Sequence, residues 1–318
     1  MVIGGSVRMI GRLIVPVVVA SSMVLGGELS AQQVRTVVQH GIGFRLFDFH
    51  DGGTENNIPL IYFHGTSSSK VEPQLVLQQI REKKRTVISF DRPGYGDSDP
   101  VSFQSLDDYG LWLKKKLLPT IEELLGFKPQ KYDLVSVSGG ALYSLKTAQL
   151  MPERIRRVSV LSAGLFARPV GGEGQYERVR RFAARRPLIS NSIVRFGKRH
   201  LDLMQTLSSQ KLSAPDREFS QTHGQLGKKI YVDATKRGAE GIVQDARLQL
   251  NDVSYARPLG KGIEVQLWNG TCDQTISTAS TRLLAEKLGI EMNLISGEGH
   301  LSCLPQAFDR SVLASNAN

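Results

Sequence analysis

Cysteine is nearly absent: the 318 residues contain two, Cys272 and Cys303. That excludes a disulfide scaffold and the paired spacing of a structural zinc site, and leaves one bridge or none. There is no internal repeat and no low-complexity tract, which excludes solenoids and arrays. No apolar run reaches the roughly 20 residues that span a bilayer comfortably. Acidic residues are outnumbered, 30 Asp and Glu against 40 Lys and Arg, for a net charge of +10. The excess is local. Leu165 to Arg257 holds 17 Lys and Arg and 9 Asp and Glu, a net of +8. No motif or fold pattern of a nucleic-acid-binding module accompanies that charge. A solvated face is the plain reading of the basic run. A weak contact with an anionic membrane is the second, because Arg178, Arg181 and Arg185 fall near one helical face.

What is present is an ordinary globular composition, 41% apolar and 22% charged, in a chain long enough for one large domain. The first 31 residues stand apart. Arg8 and Arg12 precede the apolar Leu13–Gly27 and then the polar ELSAQQ. This reads as a signal peptide cut after Ala31, as an uncleaved anchor, or as a chain that starts at Met9 or Met23. The first two imply an exported (periplasmic or secreted) or membrane-anchored protein, the third a cytoplasmic one.

From residue 32 onward strands and helices alternate. VRTVVQH and FRLFDFH read as an antiparallel pair. IPLIYFHG, RTVISFD, KYDLVSVS, IRRVSVLSAG, IEVQLWNG and IEMNLIS read as strands. Residues 73–84, 105–126 (kinked near Pro119), 139–151 and 278–289 read as helices, with a short one from about Leu301. Short β-branched runs separated by helical periods predict an α/β fold, a mostly parallel sheet with helices on both faces. Residues 165–257 break the rhythm. They are helical in character, bounded by RPVGGEG and RPLGKG, and predict an inserted helical cap.

The stretch LVSVSGGALYSL places Ser138 where a strand turns sharply into a helix. Such a corner lifts a serine hydroxyl from the backbone and aims helix N–H groups at a neighbouring oxyanion. It demands small residues two before and two after, and Ser136 and Gly140 qualify. The bland alternative is a helix start with Ser138 as its cap. A serine nucleophile needs a base. His300, in GEGHLS, alone among the six histidines follows the last strand. An orienting acid belongs on the loop after the preceding strand, and Asp273 stands three residues past Gly270. The order Ser138, Asp273, His300 differs from chymotrypsin and subtilisin and agrees with one hydrolase class. Oxyanion donors are expected from the backbone N–H of Gly139 and of Thr66.

YFHGTSSS, VISFDRPGYGDSDP, LVSVSGGALYSLKTAQLMPERIRRVSVLSAG, QLWNGTCDQTIS and GEGHLS resemble, in order, the landmark segments of the α/β-hydrolase fold superfamily. The resemblance covers about residues 41–313. It implies an eight-stranded, mostly parallel sheet and a Ser/His/acid triad carried over to Ser138, His300 and Asp273. Asp91 resembles part of a structural loop below the site. Ser136 departs from the usual glycine, and Thr66-Ser67-Ser68-Ser69-Lys70 from the usual oxyanion loop. Dehalogenases and epoxide hydrolases of this superfamily need Asp at the elbow, where this chain has Ser138. The expectation is a serine hydrolase acting on a carboxylic ester, lactone or thioester of a small molecule, without cofactor or metal. The alternative is a ligand-binding or receptor-like protein on the same scaffold with little turnover.

Overall fold

The computed structural model describes residues 33–50, 58–166 and 174–312. The expected leader, residues 1–31, lies outside them. Among the described residues, β1 (Val34–Gln39), β2 (Ile42–Asp48), β3 (Leu60–Phe63), β4 (Thr86–Phe90), β5 (Tyr132–Val137), β6 (Ile155–Leu161), β7 (Glu264–Gly270) and β8 (Met292–Ile295) form one sheet. Its order is β1-β2-β4-β3-β5-β6-β7-β8. β2 runs antiparallel to β1 and β4, and all other pairs are parallel. The expected eight-stranded, mostly parallel sheet is present.

Its parallel centre is apolar in both directions. β3, β4 and β5 are buried at every position, which is why they read as continuous runs instead of alternating ones. Successive residues feed opposite cores. Ile61, Phe63, Ile88 and Leu134 pack on one face; Leu60, Tyr62, Val87 and Val135 pack on the other. The first core is closed by α2 (Leu106–Trp112), α4 (Ala141–Leu150) and α11 (Thr278–Leu288), through Leu106, Leu142 and Leu284. The second is closed by α1 (Leu77–Glu82) and α12 (Leu304–Ser311), through Ile80 and Phe308.

Local signals fix several boundaries. Ser105 caps α2 in a reciprocal box with Asp108. The helix predicted to kink near Pro119 runs as α2, a widened π-type turn over Leu113–Leu117, and α3 (Leu118–Leu125). Pro119 lacks the N–H that would continue the ladder and its ring crowds the preceding turn, so the coil widens just before it. Residues 73–84 split into a tight turn, Glu72–Val76, and α1.

Between β6 and β7 lie α5 (Gly174–Arg185), α6 (Pro187–Arg199), α7 (Leu201–Ser209), α8 (Ala214–Thr222), α9 (Gly224–Ala234) and α10 (Glu240–Asn251). The segment is helical, as expected. Its insertion point after β6 puts it beyond the carboxyl ends of the parallel strands, where open α/β sheets place their clefts.

Candidate active site

β5 ends at Val137 in extended conformation, and the chain turns through Ser138–Gly140 into α4. Ser138 has φ +49°, the left-handed region that a residue with a Cβ avoids. Two glycines are forced by proximity. A Cβ on Gly140 would lie 2.3 Å from the Phe63 carbonyl oxygen, and one on Gly139 2.1 Å from Thr66 Oγ1. Ser136, the departure in the elbow, is fully buried and accepts a hydrogen bond from Ser144 Oγ at 2.7 Å. The added hydroxymethyl is thus absorbed as a strand-to-helix hydrogen bond.

Asp273 and His300 follow β7 and β8. His300 Nδ1 lies 2.8 Å from Asp273 Oδ2. The carboxylate accepts, so Nδ1 carries the proton and Nε2 is the basic nitrogen. Asp273 Oδ1 in turn accepts from the Thr275 and Ile276 N–H groups, both at 2.8 Å. The Cys272 N–H donates to the Glu298 carbonyl at 2.7 Å and ties the two loops together. Burial alone would push the His300 imidazolium pKa down. The charge and hydrogen bond of Asp273, with Asp216 and Glu72 adding to them, reverse this, and the pKa stands above the ordinary imidazole value. Ser138, Thr66 and His300 line one cavity of about 200 Å³. Thr66, Glu72 and Leu301 also line an adjoining cleft of about 400 Å³, whose walls include Leu201, Met204, Phe219 and Ile230. The five residues expected from sequence therefore come together: Ser138, His300 and Thr66 in the cavity, Gly139 against Thr66, and Asp273 behind His300.

Three groups of residues in and around this site were not expected. Asp216, on α8, is buried and accepts from the backbone N–H of His300 (2.8 Å), Leu301 (2.7 Å) and Ser302 (3.0 Å), and from Ser213 Oγ (2.9 Å). Asp245 and Gln249, one turn apart on α10, hold Thr66. Gln249 Nε2 donates to Thr66 Oγ1 at 2.9 Å, and Thr66 Oγ1 donates to Asp245 Oδ2 at 3.2 Å. Asp245 also accepts from Arg92 Nη2 (2.5 Å), Tyr95 Oη (2.7 Å) and Tyr143 Oη (2.6 Å). Arg92 reaches the His64 carbonyl, so the loop after β3 hangs on this buried charge pair. Glu72 accepts from the Gly65 N–H at 3.0 Å, and burial pushes its carboxyl above the ordinary range. Only the i, i+4 spacing of Asp245 and Gln249 left any trace in sequence, and nothing there pointed to Thr66.

Asp91 behaves as the structural residue it resembles. It takes Lys70 Nζ at 2.7 Å and the Asp97 N–H at 2.9 Å. Both cysteines are free. Cys272 is exposed, while Cys303 is buried beside Ser162 Oγ and burial pushes its thiol up to about 12. Among the described residues, no group of three or more His, Cys, Asp or Glu is placed to hold a metal ion.

A family model described as alpha/beta hydrolase family matches residues 60–312. No curated protein matches the chain. Solved structures do. An enol-lactonase from Burkholderia xenovorans LB400 is 16% identical, with a TM-score of 0.58 over 87% of this chain and 94% of its own. A thermophilic esterase from Thermogutta terrifontis is 16% identical, with a TM-score of 0.59 over 93% and 95%. Epoxide hydrolase A from Mycobacterium thermoresistibile is 16% identical, with a TM-score of 0.60 over 87% and 95%. At this identity the likeness carries the fold, and the chemistry has to be argued from the site.

Proposed function

The chain belongs to the alpha/beta hydrolase family, and on that premise we propose that it is a serine hydrolase that cleaves a carboxylic ester, lactone or thioester through an acyl-enzyme on Ser138. The observation that carries this reading is the Asp273–His300 hydrogen bond, 2.8 Å long, behind a cavity that Ser138 also lines. In this mechanism Ser138 Oγ attacks the carbonyl carbon while His300 Nε2 takes its proton. The negative charge that develops on the carbonyl oxygen is received by the N–H groups of Gly139 and Thr66. Such donors are worth about 3 kcal/mol each in the transition state, because they are already oriented before charge appears. Collapse expels the alcohol or thiol, protonated by His300, and water then repeats the sequence on the acyl-enzyme. An epoxide-opening route would want a carboxylate nucleophile at the elbow, and Ser138 supplies a hydroxyl.

The reading is tested with a fluorophosphonate probe. The folded wild type is expected to be labelled on Ser138 with parallel loss of ester hydrolysis. A folded protein that is not labelled, or that hydrolyses a panel of acyl esters equally well after labelling, refutes it.

The pH dependence follows from the charges around the base. His300 works as a base only when neutral, and its raised pKa favours the protonated form. Activity is therefore expected to fall as pH drops, with the acid limb of kcat/KM centred above the ordinary imidazole value of about 6.5. Asp273→Asn is expected to cost about ten-thousand-fold in kcat, because an amide also selects the wrong tautomer. Asp216→Asn removes a charge without touching the ring. It is expected to move the acid limb downward and lower kcat with little change in KM. An acid limb at or below 6.5 that Asp216→Asn leaves in place would contradict this account.

A further inference from the structure

Large apolar side chains normally face inward, yet α5, α6 and α7 turn many of theirs outward. Val179, Phe182, Leu188, Ile189, Ile193, Phe196, Leu203 and Leu207 are each at least 41% exposed, and Leu188 is 83% exposed. α6 shows the inversion most clearly. Ile189, Ile193 and Phe196 recur at i, i+4 and i+7 on an outer stripe, while the helix packs inward through Ser190, Val194 and Gly197. Gly197 allows the approach: a Cβ there would lie 3.0 Å from Tyr231 Oη. α5 packs on α6, and α6 on α7. Scattered single exposed apolar residues need no explanation, but eight on three consecutive helices do.

The charge around them is of one sign. Residues 174–209 hold eight Lys and Arg and two Asp and Glu. Both acids are ion-paired, Glu177 with Arg181 and Asp202 with Lys228. Arg185, Arg186, Arg195 and Arg199 are exposed beside the apolar residues. A protein partner could satisfy the apolar stripe alone. Apolar side chains interleaved with arginines suit a surface that is negative on the outside and hydrocarbon beneath.

From this we infer that α5–α7 form a docking surface for an anionic phospholipid bilayer, with Ile189, Ile193 and Phe196 entering the interface and the flanking arginines on the headgroups. No helix among the described residues is long and apolar enough to cross a membrane, so the contact lies on the surface. α7 joins this surface to the site. Its Leu203 and Leu207 face outward, while its Leu201 and Met204 wall the cleft of about 400 Å³ beside Ser138. Docking thus places the cleft mouth at the lipid boundary.

The experiment is vesicle flotation of the full chain with phosphatidylcholine alone and with phosphatidylcholine plus phosphatidylglycerol. Wild type is expected to float with the anionic vesicles and to be released at high salt, because screening weakens the arginine contribution. Ile189→Ser/Ile193→Ser/Phe196→Ser and Arg185→Glu/Arg195→Glu/Arg199→Glu are each expected to lower partitioning by about tenfold or more. Both should hydrolyse a soluble short-chain ester at the wild-type rate, since none of the six lines the cleft. If either triple variant fails to fold, the Phe196→Trp variant decides, with a blue shift of its added emission expected only on anionic vesicles. Absence of wild-type flotation overturns the inference. So does undiminished flotation of both variants, which would put binding in residues 1–32. A patch that instead closes a concentration-dependent dimer, lost in the apolar variant and with no vesicle binding, overturns it as well.

Discussion

Ser138→Ala is expected to lower kcat by about ten-thousand-fold or more against any acyl substrate the wild type turns over, with the protein still folded. The effect should be as large as that of His300→Ala, and the double variant little worse than either. The two groups act as one unit: without the hydroxyl the base has no proton to take, and without the base the hydroxyl is a poor nucleophile. Circular dichroism and thermal unfolding separate this loss from misfolding, because the change removes one hydroxyl from a side chain that lines a cavity. Its backbone offers a second readout. At φ +49° any side chain is strained, so Ser138→Gly should exceed Ser138→Ala in stability by about 1 kcal/mol. Equal stabilities would mean the elbow stores no strain. Retained turnover in Ser138→Ala would end the acyl-enzyme proposal.

The second large effect concerns Asp245. Asp245→Ala is expected to destabilise the protein by about 3–5 kcal/mol, a large share of the 5–15 kcal/mol typical of a folded domain. Arg92 and Asp245 are both almost fully buried. Removing the carboxylate leaves a guanidinium without its counter-charge, together with the Tyr95 and Tyr143 hydroxyls that donated to it. The penalty is that of an uncompensated buried charge, which exceeds the net worth of the pair. Chemical denaturation reads it directly. Gln249→Ala makes the useful control. It removes the amide that donates to Thr66 Oγ1 and leaves the charge pair whole. It is expected to cost about 1 kcal/mol of stability, and to lower kcat if the position of Thr66 matters to the oxyanion. A wild-type melting curve for Asp245→Ala would show that water or a shifted side chain takes over the charge.

These two predictions differ in how far each was visible along the chain. Ser138, Asp273 and His300 were legible because each follows a strand and each strand announces itself by its own apolar run. Strand ends are local features, and a parallel sheet delivers the loops after neighbouring strands to one edge. The strand order, with β3 beside β5 and β7 beside β8, then made Thr66, Ser138, Asp273 and His300 neighbours. The small size of Ser136 was legible, but the partner of its hydroxyl, Ser144 eight residues on, was not. Asp216 and Asp245 were illegible. Each is one polar residue on an amphipathic helix of the insertion, where a solvated carboxylate would look the same. Asp216 reaches a backbone 84 residues away, and Asp245 a hydroxyl 179 residues away.

The sequence by itself determined the α/β alternation, the place of the helical segment between β6 and β7, the sharp strand-to-helix corner at Ser138 and the order in which Asp273 and His300 follow it. Each rests on periodicity or turn chemistry within some twenty residues, and the covalent chain carries that information directly. Only the tertiary structure decided that the insertion is wired into the site. Asp216 holds the His300 loop, Asp245 and Gln249 hold Thr66, and α6 turns its large residues outward because small ones pack inward. Contacts of this kind join segments of unrelated local pattern. They are fixed by which buried groups find partners when the whole chain excludes water, and that is settled only in the folded molecule.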